Sequence, residues 1–350
     1  MWHILDELPE SLDETYKRIL REIRKPNQGH AHRLLQCLVA AVRPLRVREL
    51  AEVLAFDFSV EGAPNLNPSW HWENQEEAVM LACSSLVVIV KDGDSQIVQF
   101  SHFSVKEFLT ANRLAEPIQD VSRYHIRLEA AHTILARACL GVLLQSDNHV
   151  FSSSIENFLL ARYATQYWAT HARFENAASC IKDGMKLLFN ADKHHFAMWL
   201  WIHNKDRDGC SMSTTFPEKP EAAPLYYAAM LGFRDLAEHL IAEHPEHVKA
   251  KGGREVTSMH VAARAGHASI LSLLLEHGAD VDCRGIDGQT PLHRVSLSAK
   301  GEAGQCLLDR GTDIDAGNSR DQTPLFHAVF YGHVECHRLH GRRVGTTGRG

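Results

Sequence analysis

One register constrains the chain more than any other feature. It reads Ala223-Pro224-Leu225-Tyr226-Tyr227-Ala228-Ala229, then Thr257-Ser258-Met259-His260-Val261-Ala262-Ala263. It continues as Thr290-Pro291-Leu292-His293-Arg294-Val295-Ser296 and Thr323-Pro324-Leu325-Phe326-His327-Ala328-Val329. Thr257, Thr290 and Thr323 are each 33 residues apart, and Ala223 stands 34 before the first. A fixed period of this length predicts stacked supersecondary units, each burying its apolar face on the next. Within a unit, threonine caps a first helix, proline suits its first turn because it has no N–H to satisfy, and leucine enters the core. The histidine is placed to hydrogen-bond toward the threonine hydroxyl of a neighbouring unit. Ala228-Ala229 and Ala262-Ala263 keep the inner helix thin, and Gly232, Gly266 and Gly332 end it. Leu274-Leu275 and Leu307-Leu308 form the core face of a second helix ended by Gly278 and Gly311, and Asp280, Asp282, Asp313 and Asp315 border hairpin turns.

Thr-Pro-Leu-His with Leu-Leu-x-x-Gly downstream resembles the ankyrin repeat, from Ala223 to Gly332. The third repeat departs from that pattern, with Val295-Ser296 and Ala299 where Ala-Ala and Gly are usual, which loosens its inner helix. The fourth follows the pattern to Cys336; its Leu-Leu pair would fall on His340 and Gly341. The expectation is three complete repeats and a broken fourth over residues 223–336, then a disordered tail over 337–350. The resemblance implies a rigid binding surface of hairpin tips and inner-helix side chains. In register, its exposed positions are Arg254, Arg284, Ile286, Gln289, Arg294, Arg320, Gln322 and Tyr331. As a set they are mildly basic, so the expected partner is an acidic peptide or protein.

Residues 1–120 read as helices followed by a hairpin. Tyr16, Ile19, Leu20 and Ile23 mark one apolar face, Leu34, Leu35, Leu38 and Val39 a second, and Leu50, Ala51 and Leu54 a third. Another helix is predicted near Gln75 to Ser84, a hairpin across Asp92-Gly93-Asp94-Ser95, and a last helix from Ser104 to Leu114. This is the order of a winged-helix domain, which makes nucleic-acid binding the alternative function. Its charge argues against that alternative. No Lys or Arg lies between Glu49 and Val90, and the helix that would enter a groove carries Glu76 and Glu77. The basic trio Arg43, Arg46 and Arg48 fits a solvated surface or a partner contact.

Leu8-Pro9-x-x-Leu12-x-x-x-Tyr16, Arg48-Glu49-Leu50-Ala51 and Phe100-Ser101-His102-Phe103-Ser104-Val105-Lys106-Glu107-Phe108-Leu109 resemble the winged helix that follows the NACHT module in fungal NOD-like receptor proteins. A similar winged helix is named after GPI inositol-deacylases. The resemblance implies a structural segment linking a nucleotide switch to a C-terminal repeat sensor. No Gly-x-x-x-x-Gly-Lys-Ser/Thr loop occurs, so the NACHT module itself is absent from this sequence, and no Gly-x-Ser-x-Gly elbow brings hydrolase chemistry. Two readings stay open: part of a longer receptor, or a short paralogue that works without the switch.

Residues 121–203 read as a helical connector whose aromatics are core, with helices over Tyr124 to Leu144, Ile155 to Ala172 and Ala177 to Phe189, and a short one at His195 to Trp201. Residues 204–222 read as a linker rich in Gly, Ser, Thr and Pro. The predicted class is mostly α: winged helix, helical connector and ankyrin solenoid. A net charge of -6 gives no general attraction to polyanions, and no apolar run reaches membrane-spanning length. The acidic start excludes a secretory signal, and eight scattered cysteines fit buried free thiols, so a cytoplasmic location is expected. No catalytic constellation, cofactor motif or metal site is predicted. The cluster His333, Cys336, His337 and His340 reads as a decaying repeat rather than as zinc ligands. The expectation is a non-enzymatic protein-interaction module.

Overall fold

The computed structural model describes residues 12–59, 62–66, 77, 79–80, 85–93, 95–116, 120–145, 159–208, 220, 222–252, 256–285 and 287–333. The chain divides into two compact units, Met1–Leu188 with Met198–Phe216, and Phe189–Ala197 with Pro217–Gly350. No helix among the described residues is long and apolar enough to cross a membrane.

The first unit opens with helices α1 (Leu12–Glu22), α2 (Gln28–Ala40) and α3 (Val47–Leu54). Strand β1 (Leu45–Arg46) lies between the last two, and α3 leads into a short pair, β2 (Phe56–Asp57) with β3 (Asn65–Leu66). The wing is β4 (Val87–Asp92) and β5 (Ser95–Phe100), registered from Val87 opposite Phe100 to Asp92 opposite Ser95. β1 pairs with β5, which gives the sheet order β1-β5-β4. The wing turn is tighter than the four residues predicted, because Gly93 at φ +58° supplies the left-handed backbone a two-residue turn needs. Of the helix predicted near Gln75 to Ser84, only Glu77, Val79 and Met80 lie among the described residues.

Helix α4 (Phe103–Thr110) follows the wing and ends before Leu114, giving way to a 3₁₀ turn over Asn112–Ala115. Two of the motifs that resemble the receptor winged helix meet here. Tyr16 on α1 hydrogen-bonds Ser104 through its hydroxyl at 2.7 Å, and its ring lies 5.4 Å from that of Phe108. Their spacing in sequence therefore reports a packing contact between α1 and α4.

Helix α5 (Leu128–Leu144) packs on α2 and on α6 (Ala161–Ala172). Gly141 is where α5 lets the β2 strand approach: a Cβ there would lie 2.8 Å from the Phe56 ring and 2.9 Å from the Pro64 carbonyl. The helix predicted over 177–189 is broken into α7 (Ala177–Cys180) and α8 (Lys182–Leu188), because Ile181 between them leaves helical φ/ψ. Trp168 and Trp199 are buried edge to face at 6.0 Å, consistent with aromatics as core. Helix α9 (His194–Asp208) runs on past residue 204, where the linker was predicted to start.

In the second unit, Phe196 near the start of α9 touches Phe189 at 5.3 Å and Tyr227 of the first repeat at 5.5 Å. The inner helices are α10 (Pro224–Leu231), α12 (Ser258–Ala265), α14 (Pro291–Ser298) and α16 (Pro324–Phe330), stacked in that order. The outer helices are α11 (Arg234–Glu243), α13 (Ala268–Glu276) and α15 (Gly301–Asp309). Pro224, Pro291 and Pro324 each open an inner helix, as the missing N–H of proline allows. Gly232 and Gly266 close α10 and α12 in the left-handed region, at φ +87° and +88°. Ala299 closes α14 in that same region at φ +54°, despite carrying a Cβ.

Candidate interaction surface

The repeats are joined by a hydrogen-bonded clamp that runs differently from the sequence expectation. Thr290 N–H donates to His293 Nδ1 at 3.1 Å, and the Thr290 hydroxyl lies 2.9 Å from the same nitrogen. The threonine partner therefore belongs to the histidine's own repeat. Nδ1 accepts from a backbone N–H, so the proton sits on Nε2, which donates to the Gln322 carbonyl of the next repeat at 2.9 Å. His260 repeats the arrangement, with Thr257 N–H at 3.2 Å and the Gln289 carbonyl at 2.9 Å. Burial pushes His293 down to about 4 and lowers His260 in the same direction. Charging Nδ1 would oppose an N–H that already points at it.

The clamp joins the second repeat to the third and the third to the fourth. The first repeat has Ala223 and Tyr226 at the clamp positions, and the fourth has Phe326 in place of histidine. Beside the clamp, Asp280 and Asp313 accept from the backbone N–H two residues on, at 3.0 Å each, which sets the hairpin turns. The hairpins are bonded to one another as well: Ser319 N–H donates to the Asp287 carbonyl at 3.0 Å.

On this frame the predicted surface positions separate into three groups. Arg284, Arg320 and Tyr331 are exposed. Arg284 and Arg320 lie on the two hairpins that the Ser319–Asp287 bond ties together, and Arg284 reaches across to donate to the Gly317 carbonyl at 2.7 Å. Gln289, Arg294 and Gln322 are half-buried rather than exposed. The backbone carbonyls of Gln289 and Gln322 are clamp acceptors, and the Gln322 side chain accepts from Asn318 Nδ2 at 3.2 Å. Arg254 and Ile286 lie outside the described residues. Next to Tyr331, which is 54% exposed, Leu325, Phe326, Val329 and Phe330 of α16 add apolar surface.

Of the basic trio expected to form a solvated surface or a partner contact, Arg43 is instead engaged within the first unit. Arg43 is bound through both terminal nitrogens to buried Glu49, at 2.8 and 2.6 Å, and its guanidinium lies 4.9 Å from the Tyr163 ring centre. Arg46 and Arg48 remain exposed. The unit also holds a buried polar chain in which Val42 N–H donates to the Tyr163 hydroxyl at 3.2 Å. That hydroxyl lies 2.9 Å from His171 Nε2, and His171 Nδ1 lies 2.9 Å from His132 Nδ1. Burial first, and His132 second, hold His171 down to about 3. This chain of bonds ties three segments of the unit together.

The thiols are mixed rather than uniformly buried. Cys37 and Cys139 are buried and pushed up by burial, Cys37 to about 12, whereas Cys180 is exposed and Cys283 and Cys306 are half-buried. Of the C-terminal cluster only His333 is described; it donates through Nε2 to the Leu297 carbonyl at 3.3 Å, and Cys336, His337 and His340 lie outside.

Comparison with known proteins matches residues 19–118 to the winged helix domain of GPI inositol-deacylase. Ankyrin repeats, in three copies, match over residues 176–285 and 225–318. The first of those matches starts well ahead of Ala223 and takes in α7, α8 and α9, which lack the Thr-Pro-Leu-His signature. The chain is 30% identical to "Azaphilone pigments biosynthesis cluster protein L" of Monascus ruber over an alignment of 288 residues, which covers 77% of this chain and 60% of that protein. The chain therefore spans less than two thirds of that relative's length. It carries a winged-helix domain of the GPI inositol-deacylase type and ankyrin repeats, on a mostly helical frame.

Proposed function

We propose that the chain is a non-enzymatic protein-interaction module that takes an acidic protein or peptide segment on the hairpin and inner-helix face of its repeats. In this reading it serves as the sensor and scaffold part of a cytoplasmic NOD-like receptor system. The observation that supports it most is the pair Arg284 and Arg320, exposed on neighbouring hairpins that are bonded to each other. Bonded hairpins hold the two guanidinium groups in place before a partner arrives, so little ordering entropy is lost on binding. Exposed Tyr331 adds an aromatic anchor of the kind enriched at binding hot spots. The winged-helix domain supplies structure in this reading; its Arg43 is committed to Glu49 and offers little to a phosphate backbone.

The test is capture of partner proteins from extract by the wild-type chain and by an R284E/R320E variant, at two salt concentrations. The proposal expects one or more partners to be lost about 10-fold or more on charge reversal, with the wild-type interaction weakened by salt. Equal capture by both chains would remove these arginines from the interface. Salt-sensitive DNA retention by the first unit would favour the nucleic-acid alternative instead.

A further inference from the structure

The turn that leaves the first repeat packs three metal-ligand side chains into four residues, His244-Pro245-Glu246-His247. Helix α11 ends at Glu243, and His244 leaves it at φ -135°, ψ 70°. Pro245–Val248 then forms a 3₁₀ turn, with His247 N–H donating to the His244 carbonyl at 3.0 Å. Residues three apart eclipse one another in that geometry. The two imidazoles accordingly lie with centres 4.8 Å apart and planes inclined by 30°. Glu246 reaches to both: its Oε1 is 3.3 Å from His244 Nδ1 and 3.9 Å from His247 Nε2. One donor atom from each of the three residues falls within 4.8 Å of the others. Val248, 2% exposed, anchors the turn to the core.

We propose that His244, Glu246 and His247 form a three-ligand site for a divalent transition-metal ion of the zinc type, with water completing the shell. Ligand atoms about 2.0–2.2 Å from a tetrahedral zinc stand about 3.3–3.5 Å apart. The His244–Glu246 edge already has that length. The other two edges close by rotation of the inclined rings. His247 Nδ1 makes no hydrogen bond among the described residues, so turning that ring breaks none there. Two imidazoles and one carboxylate select zinc, nickel or copper over magnesium and calcium, which need more oxygen ligands. A metal here would tie the end of α11 to the turn that carries Val248.

The experiment uses the full chain without a histidine tag, stripped of metal by chelator, and titrates Zn²⁺ in competition with a chromophoric chelator. One equivalent should bind with Kd about 10 µM or tighter and raise Tm in proportion. H244N and H247N should each weaken that site about 10-fold or more, and E246Q, at a mostly exposed position, should weaken it without disturbing the fold. C336S/H337N/H340N should leave it unchanged, and millimolar Mg²⁺ should not compete. Absence of saturable binding below about 100 µM Zn²⁺ would overturn the proposal. So would binding that survives H244N/H247N or disappears in the C336S/H337N/H340N variant.

Discussion

The second and third repeats share one clamp but fill and close their inner helices differently. In both, a Thr-x-x-His unit bonds its own backbone on one ring nitrogen and the next repeat's carbonyl on the other. The second repeat then places Ala262-Ala263 against its neighbours and ends on Gly266. The third places Val295-Ser296 there and ends on Ala299. The Ser296 hydroxyl is buried with no partner among the described residues, and Ala299 is left-handed without being glycine. What links one repeat to the next is intact in both, whereas what makes one helix comfortable has drifted. Stack stability is set by interfaces between repeats as well as by each repeat alone, so an intact clamp can carry a locally strained helix.

That contrast predicts a ranked set of effects. Breaking the clamp should cost most. H293A removes a buried ring and leaves the Gln322 carbonyl and the Thr290 N–H unpaired, so it should destabilise the repeats by about 3 kcal/mol in denaturant unfolding. A loss below about 1 kcal/mol would mean the clamp is decorative.

Acid should act next. The clamp histidines have folded-state values below the ordinary histidine range, so the native repeats hold them neutral. Their contribution is complete above about pH 6.5, where the unfolded chain is neutral too. As pH falls below that, the unfolded chain binds protons that the clamp refuses. Stability drains away until about pH 4, where His293 itself is charged. The expected loss at the His293 clamp is at most about 3 kcal/mol, read as faster hydrogen exchange at amides of α12 and α14. H293A should flatten that profile; the same pH dependence in wild type and variant would place the titration elsewhere.

Repairing the third repeat should help by smaller amounts. A299G relieves a left-handed alanine and should stabilise by about 1 kcal/mol. The reverse change at the second repeat, G266A, should cost a similar amount or more, since a Cβ there would lie 2.8 Å from the Lys300 side chain. S296A removes an unpaired buried hydroxyl and should stabilise by about 0.5–1 kcal/mol. If A299G or S296A destabilised instead, the third repeat would be the better adapted of the two.

The register made most of the solenoid legible, because its prolines, glycines and leucine pairs each answer a local backbone or packing demand. The wing was legible too, because Asp92-Gly93 supplies the backbone a tight turn needs between two strand-length runs. The direction of the histidine bonds was not, since Nδ1 and Nε2 are equivalent in a sequence and only the fold shows which faces the next repeat. The break at Ile181 and the run of α9 past residue 204 depend on tertiary packing that periodicity does not carry. The part of the surface that was misjudged, Gln289, Arg294 and Gln322, sits where repeats meet, and register alone does not separate a tip from a seam. The His244-Pro245-Glu246-His247 cluster was present as His-x-Glu-His spacing, but its meaning depends on a 3₁₀ turn that the sequence does not announce.

The most direct test of the account places a photo-crosslinking benzoylphenylalanine at Tyr331, exposed at the C-terminal end of the inner helix α16, or at Glu302, exposed on the outer helix α15. Irradiation in cells should yield discrete adducts from position 331, lost on adding R284E/R320E, and none from position 302. Adducts from position 302 alone, or adducts from 331 that ignore the charge reversal, would contradict binding through this face.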